Sequence, residues 1–373
     1  MSPGSERAFA VVTGGGTGGH VVPALAIAEA LVERGHERSS IHYAGAARGI
    51  EARLVPPTGF PLTLLPGSGI RRSLTPANLA AVGGLVVAFW RALLLLGRLR
   101  PRVVVAVGGY ASVAVALAAV LRRIPVVVAE QNTVPGAANR LIARFAKVSA
   151  VSFAGTPLPR AVVTGNPVRR EVVDLGDGHG RDAARAALGV EPGRRLVLVT
   201  GGSGGALRLN QAALEALAPW RDRADLAVHH VVGRRDWQEI SAAAPADPGA
   251  LQYRAVEYED DMPRAMAAAD VAVTRAGAST CFELAAMGLP AVLVPSPVVT
   301  ADQRTRNAEQ LVAAGAAVLV PDAELDGARL VSEVDALLAD DARRAAMAAA
   351  ARAWSRPDAA QAIAALVEDH ARA

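Results

Sequence analysis

The fold turns on one stretch, Thr13-Gly14-Gly15-Gly16-Thr17-Gly18-Gly19-His20. An apolar run, Phe9-Ala10-Val11-Val12, precedes it. A helical pattern from about Val21 to Arg34 follows, with Leu25, Ala28, Leu31 and Val32 on one face and Gly35 as the stop. Strand, glycine turn and helix in succession bring backbone N–H groups and a positive helix end together, which suits a phosphate-bearing ligand. Gly14, Gly16 and Gly19 also satisfy the dinucleotide fingerprint. That reading needs an acid at the end of the next strand to hold a ribose. The next strand candidate, Ile41-His42-Tyr43-Ala44, has no acid after it until Glu51, so a dehydrogenase is disfavoured. His20 at the helix start either serves as a neutral base, favoured there by the helix dipole, or simply caps the helix.

Working outward, β-branched runs alternate with Ala- and Leu-rich helical patterns along the whole chain, the signature of α/β architecture with parallel sheets. At 373 residues there is material for about two domains. Strands are expected near 9–13, 41–45, 61–65, 103–107, 125–129, 149–153 and 161–165. Helices are expected near 21–34, 48–55, 77–98, 112–122 and 136–145. A polar, glycine-rich run, Asp174 to Gly180, reads as a connection. The alternation then restarts at Arg195–Thr200, with Gly201-Gly202-Ser203-Gly204-Gly205 repeating the opening architecture. Further strands are expected near 226–232, 253–257, 271–275, 291–295 and 317–321, and a helical tail from about Asp341.

Composition narrows the function classes. Hydrophobic residues make up 52% but aromatics only 4%, so the core is built from Ala, Val and Leu. The +4 formal charge rests on arginine, with Lys147 the only lysine. Such a bias reflects genomic composition and gives no argument for nucleic acid. A single cysteine, Cys281, excludes an internal disulfide and a cysteine metal cluster. The start, Met1 to Arg7, is polar and leads straight into a strand, so no signal peptide is expected. Val103 to Leu121 is uncharged and long enough to span a bilayer, yet it divides into a β-branched run, a Gly108-Gly109 turn and an Ala-rich helix, so a buried strand–loop–helix is expected. In Pro76–Leu99, Leu79, Val82, Val86, Phe89, Trp90 and Leu93 recur at helical spacing. Arg71, Arg72, Arg91, Arg98, Arg100 and Arg102 surround them. This is either an ordinary core helix or a surface for anionic lipid headgroups.

Chemistry is expected at the carboxyl ends of the strands, with glycine loops 14–19, 108–109 and 201–205 lining a cleft between two wound domains. The second half adds Asp270 to Glu283, read as strand, turn and helix. Ala278, Ser279 and Thr280 present N–H groups to a diphosphate. Glu283, one turn in, either accepts the hydroxyls of a ribose or merely complements the helix dipole. Asp260-Asp261 lacks a partner cluster for a metal and is read as a cap for the next helix.

Six ordered motifs together carry a resemblance. They are Gly15 to His20, Gly108-Gly109-Tyr110, and Glu130-Gln131-Asn132 with Pro135-Gly136 and Asn139. Gly165-Asn166-Pro167-Val168-Arg169, Gly201-Gly202-Ser203, and Arg275 through Glu283 complete the set. Over essentially the whole chain this resembles the MurG family of UDP-N-acetylglucosamine transferases. The resemblance implies a GT-B glycosyltransferase fold, two Rossmann-like domains facing an interdomain cleft. Residues 1–168 would bind acceptor and membrane, 169–350 the UDP-sugar, and 351–373 would form a helix packing back on the first domain. It implies inverting transfer of N-acetylglucosamine from UDP-GlcNAc to the muramoyl 4-hydroxyl of lipid I, an undecaprenyl-diphosphate acceptor, at the cytoplasmic face of the cell membrane. No metal or other cofactor is expected. Carried over, Thr17, Gly18 and Gly19 would contact the sugar and diphosphate region, with His20 as base. Asn132 would hold the sugar, Arg169 and Ser203 the diphosphate, and Glu283 the ribose; the backbone around Glu259 would read the uracil. Gln303 falls in the sugar-reading segment. Two positions depart from the family pattern: Gly204 and Arg304 stand where glutamine is usual. Rival readings are another GT-B transferase, a UDP-N-acetylglucosamine epimerase, and a non-enzymatic scaffold.

Overall fold

The computed structural model describes residues 7–66, 76–176, 178, 180–202, 204–296 and 303–373, with residues 76–82 described in backbone only. The expected residue Ser203, together with Arg71 and Arg72 of the arginine ring, lies outside the described residues, and Leu79 and Val82 lie outside the described side chains. The chain forms two compact units, residues 1–169 with 356–373, and residues 170–355.

In the first unit the strands are β1 (Ala10–Gly14), β2 (Ile41–Ala46), β3 (Leu62–Leu65), β4 (Val103–Gly108), β5 (Val126–Glu130), β6 (Val148–Val151) and β7 (Ala161–Val163). The helices between them are α1 (Gly18–Glu33), α2 (Glu51–Leu54), α3 (Pro76–Leu99), α4 (Tyr110–Leu121) and α5 (Ala137–Ile142). The sheet runs β3-β2-β1-β4-β5-β6-β7 and every pairing is parallel. Strand order reverses between β1 and β4, and ligand crevices form at the carboxyl ends of strands flanking such a switch point. Val103–Val107, read from hydropathy as long enough to span a bilayer with its neighbours, are wholly buried in β4, and α4 packs over them. Among the described residues no helix is long and apolar enough to cross a membrane.

The second unit begins with α6 (Arg170–Leu175) and α7 (Arg181–Ala187). Its strands are β8 (Arg195–Thr200), β9 (Leu226–Val231), β10 (Gln252–Val256), β11 (Val271–Thr274), β12 (Ala291–Leu293) and β13 (Ala317–Leu319). Interleaved are α8 (Leu207–Leu217), α9 (Trp237–Ala243), α10 (Met262–Ala268), α11 (Ala278–Met287), α12 (Gln303–Ala313), α13 (Gly327–Leu338) and α14 (Asp341–Trp354). This sheet is also parallel throughout, in the order β10-β9-β8-β11-β12-β13, so its switch point lies between β8 and β11.

The tail is two helices rather than one. Pro357 disfavours helical geometry at the residue before it, and the chain breaks at Ser355–Asp358 before α15 (Ala359–Asp369). That last helix belongs to the first unit. Ile363, Ala364 and Val367 complete the core beside α1 and against β5 and β6, and Glu368 binds Arg34 and His36 at the end of α1.

Candidate functional site

In the first unit the two glycine loops at the switch point interlock. Gly15 N–H donates to the Gly108 carbonyl at 3.2 Å, and the buried Ser112 hydroxyl lies 2.8 Å from both the Thr13 and the Gly108 carbonyl. A Cβ on Gly109 would overlap the Gly15 carbonyl, so only glycine lets these loops meet. Gly108, at φ +116°, serves a second purpose. A Cβ there would lie 2.8 Å from His20 Cδ2 and 3.0 Å from Nε2, so the imidazole occupies the space that the missing side chain leaves.

His20 therefore packs against β4's glycine in the first turn of α1, and Thr17, not His20, is the helix N-cap. Its Nδ1 lies 3.3 Å from Thr17 Oγ1. Burial lowers its pKa, opposed by Glu130, by the Gly15 carbonyl and by Glu51, so the ring is neutral at pH 7 and able to accept a proton. Gly18 and Gly19 open α1, where the first N–H groups have no intrahelical acceptor.

Glu130, at the end of β5, organises the neighbouring loop. Its Oε1 accepts from Asn132 N–H (3.0 Å) and Nδ2 (3.1 Å), and its Oε2 from Gly136 N–H (3.0 Å) and Asn139 Nδ2 (2.9 Å). The Asn139 amide also borders the Gly108 position, 3.4 Å from where a Cβ would sit. Thr17, Gly18, Gly19, His20 and Asn132 thus belong to one connected group at one sheet edge. Arg169, partly exposed, is the last residue of this unit's first segment.

One member of that group was legible only as an isolated acid. Glu51, the first acid after β2, is fully buried beneath the loop. Its Oε1 accepts from Ala46 N–H (2.6 Å) and its Oε2 from Gly16 N–H (3.1 Å). A Cβ at Gly15, Gly45 or Gly49 would overlap its side chain. Those three glycines were the available signal, since none of them needs a positive φ.

In the second unit the described candidates lie after β10 (Glu259), in the first turns of α11 (Ala278 to Glu283) and at the start of α12 (Gln303). Gly205 (φ +77°) and Gly233 (φ +90°) bring the loops after β8 and β9 together. Asn210, buried on α8, fixes them: its Nδ2 donates to the Val232 carbonyl (3.0 Å) and to Asp236 Oδ2 (3.1 Å). Its Oδ1 accepts from His230 Nε2 (3.0 Å), which leaves His230 Nδ1 to accept from the Tyr253 hydroxyl (3.0 Å). The Glu259 carboxylate is turned to the protein, with Oε2 2.9 Å from His229 Nε2 and Oε1 accepting from Asp261 N–H (3.0 Å). Burial lowers the His229 pKa despite that carboxylate. Asp261 caps α10 through Arg264 N–H (3.1 Å), as expected, and among the described residues no cluster suits a metal.

The start of α11 has Gly277 as N-cap with no side-chain cap, so its first N–H groups at Ala278, Ser279 and Thr280 are left to a ligand or solvent. The Ser279 hydroxyl is buried with no hydrogen-bond partner among the described residues. Glu283 is buried one turn on, and Cys281 is buried with its thiol pKa raised to about 12, which excludes it as a nucleophile near neutral pH. Arg275, after β11, donates to the Val294 carbonyl at 3.1 Å and pairs with Asp322. Gln303 and Arg304 open α12, both half-buried. Burial and the nearby Arg275 guanidinium hold Arg304 below the usual arginine range, and Arg304 adds a second cation to this edge.

Comparison with known proteins matches both units. The glycosyltransferase family 28 N-terminal domain matches residues 10–151, and the family's C-terminal domain matches residues 196–363. The UDP-N-acetylglucosamine--N-acetylmuramyl-(pentapeptide) pyrophosphoryl-undecaprenol N-acetylglucosamine transferase of Desulforudis audaxviator is 38% identical over 369 residues, covering 96% of this chain and 97% of that protein. The enzyme of the same name from Salinibacter ruber is 43% identical over 361 residues, covering 95% and 94%. Among solved structures, that of Acinetobacter baumannii MurG is similar at a TM-score of 0.76 and 28% identity, covering 97% of this chain and 100% of that one.

Proposed function

Because the chain belongs to glycosyltransferase family 28, we infer that it transfers N-acetylglucosamine from UDP-GlcNAc to lipid I, giving lipid II for peptidoglycan. The observation that carries this reading is full-length similarity to transferases of that name, joined to a neutral histidine at the first unit's switch point.

In the transfer, the muramoyl 4-hydroxyl oxygen attacks the anomeric carbon of the sugar. The bond from that carbon to the diphosphate oxygen breaks, and UDP leaves with the electron pair. The configuration inverts. His20 takes the hydroxyl proton, a role suited to an imidazole kept neutral by burial. Gly18 and Gly19 at the start of α1, with Thr17, contact the sugar and diphosphate region, and Asn132, fixed by Glu130, holds the sugar. Residues 1–168 thus serve the acceptor.

Residues 169–350 serve the donor. The α11 N-terminus places partial positive charge at Ala278, Ser279 and Thr280, where charge develops on the leaving diphosphate. Arg169 and Ser203 add to that binding. Glu283 accepts the ribose hydroxyls, and Gln303 reads the sugar. The backbone at Glu259 reads the uracil, consistent with a carboxylate already committed to His229 and Asp261.

Access to a lipid-borne acceptor calls for a membrane-facing surface, and α3 has the chemistry for one. Its inner face, with Ala88, Ala92, Leu95 and Leu96, is buried, yet Val86, Val87, Trp90 and Leu94 on the other side are exposed, as is Leu121 on α4. Exposed Arg91 and Arg98 flank them. Apolar side chains ringed by arginine match the acyl–headgroup boundary of an anionic bilayer, here its cytoplasmic face.

The test is incubation with UDP-GlcNAc and a short-chain lipid I analogue. A disaccharide-bearing lipid is the expected product. Free UDP-ManNAc would mark an epimerase instead, and binding without turnover would mark a scaffold. His20→Ala should cut turnover far more than donor affinity; unchanged turnover would remove it from the reaction.

A further inference from the structure

The Glu51 carboxylate is sealed from solvent, and among the described residues no cation pairs with it. A buried carboxylate needs compensation, and among the described residues it comes from two backbone N–H groups. One of these belongs to Gly16, donating to Oε2 at 3.1 Å. The other, Ala46 N–H at 2.6 Å, anchors the carboxylate to the end of β2. Three glycines, 15, 45 and 49, leave the room that this side chain fills.

The Gly15-Gly16 stretch is therefore held twice, by Gly15 N–H on the Gly108 carbonyl (3.2 Å) and by Gly16 N–H on Glu51. The next residue, Thr17, is the N-cap of α1 and sets its Oγ1 3.3 Å from His20 Nδ1, while Gly108 leaves the space that the imidazole fills. We propose that Glu51 is a positioning residue for the transfer reaction, holding the Gly15–Gly16 turn so that Thr17 and Gly108 keep His20 placed to take the acceptor proton.

The arrangement is a buried carboxylate beneath the glycine turn, with no covalent step. It also takes the Gly16 N–H away from any ligand, which leaves anion binding in this loop to the N–H groups of α1. The other acid acting on His20, Glu130, lies on β5 and works through its own loop. The proposal rests on the reading of His20 as the transferase base.

Two measurements test it. The first uses the unmutated chain, labelled with 15N-glycine. Gly16 is solvent-exposed, yet its amide should exchange at least tenfold more slowly than that of Gly18 and resonate downfield. Exchange as fast as Gly18 overturns the proposal, whether or not any variant folds. The second compares Glu51→Gln and Glu51→Asp. Glutamine keeps the shape but sets an NH2 group against one of two donors; aspartate keeps the charge but loses reach. With melting temperature and UDP affinity held, Glu51→Gln should lower kcat at least tenfold and leave KM for UDP-GlcNAc within twofold. Glu51→Asp should recover part of kcat. Wild-type kcat in Glu51→Gln overturns the proposal, and so does a matching loss of UDP affinity. The exchange measurement makes no use of turnover, so a chain without transferase activity would refute the function and an unprotected Gly16 would refute the positioning role.

Discussion

Gly108→Ala offers a direct probe of the base. The added methyl would lie 2.8 Å from His20 Cδ2 and 3.0 Å from Nε2, with Asn139 Nδ2 at 3.4 Å. Carbon contacts settle at about 3.5–4.0 Å, so the imidazole must retreat by roughly 0.7–1.2 Å. It has little freedom to do so, because Thr17 and the Gly15 carbonyl flank it. A misplacement of about 1 Å in a reacting group costs up to about 100-fold in rate. The alanine must also adopt φ +116°, a region nearly closed to residues with a Cβ, which costs on the order of 1–3 kcal/mol of stability. The expected outcome is a kcat about 10- to 100-fold below wild type, a slightly lower melting temperature and unaltered UDP affinity, since the substitution lies in the first unit. Steady-state transfer to a soluble lipid I analogue, with calorimetric UDP binding alongside, gives all three. Turnover within threefold of wild type would refute the argument that the imidazole's seat on Gly108 sets the reaction geometry.

Glu283→Ala should weaken UDP binding by about 1.5–3 kcal/mol, the usual loss for a charged hydrogen bond, and calorimetry showing wild-type affinity would remove Glu283 from the ribose. Leu94→Glu, on the exposed face of α3, should abolish sedimentation with anionic vesicles while leaving turnover on a soluble acceptor intact; persistent vesicle binding would redirect the membrane reading. Burial lowers His42 and His230 from 6.5 to about 4. Between those values the unfolded chain binds more protons, so this stability is complete above pH 6.5 and lost as pH falls towards 4. The slope is up to about 1.4 kcal/mol per pH unit for each group. Denaturant melts from pH 7.5 to 5 should show it, and His230→Gln should flatten it; a melt independent of pH would contradict the burial argument.

Much of this architecture could be read from the sequence because parallel strands buried on both faces leave β-branched runs with sharp edges. Val103–Val107, Val126–Val128 and Leu196–Val199 are such runs, and each is a strand within a residue or two. The site's glycines were legible for a related reason, since repeated glycine pairs after strands have few other uses. Periodicity carries no information about contacts between distant loops, however. Glu51 touches residues 16 and 46 and fills space beside three glycines, and nothing in its own neighbourhood announces that. Ser112 looked like one more small residue in an alanine-rich helix, yet its hydroxyl ties two loops together. Likewise Asn210 showed only as a polar position in α8 until His230, Val232 and Asp236 closed around it. The short helices were blurred too. The stretch expected as helix over 136–145 is α5 at Ala137–Ile142, ending in turn, because propensity alone does not mark where a helix stops.

The return of α15 to the first unit has a consequence for how this protein is made. Ile363 and Val367 leave the ribosome after the whole second unit, so the earliest-synthesised lobe must wait, with a gap beside α1, until that unit has been made. The later lobe is a single uninterrupted segment and has no such delay. A nascent chain stalled before residue 356 should therefore carry a protease-resistant second lobe and a first lobe still open to chaperones.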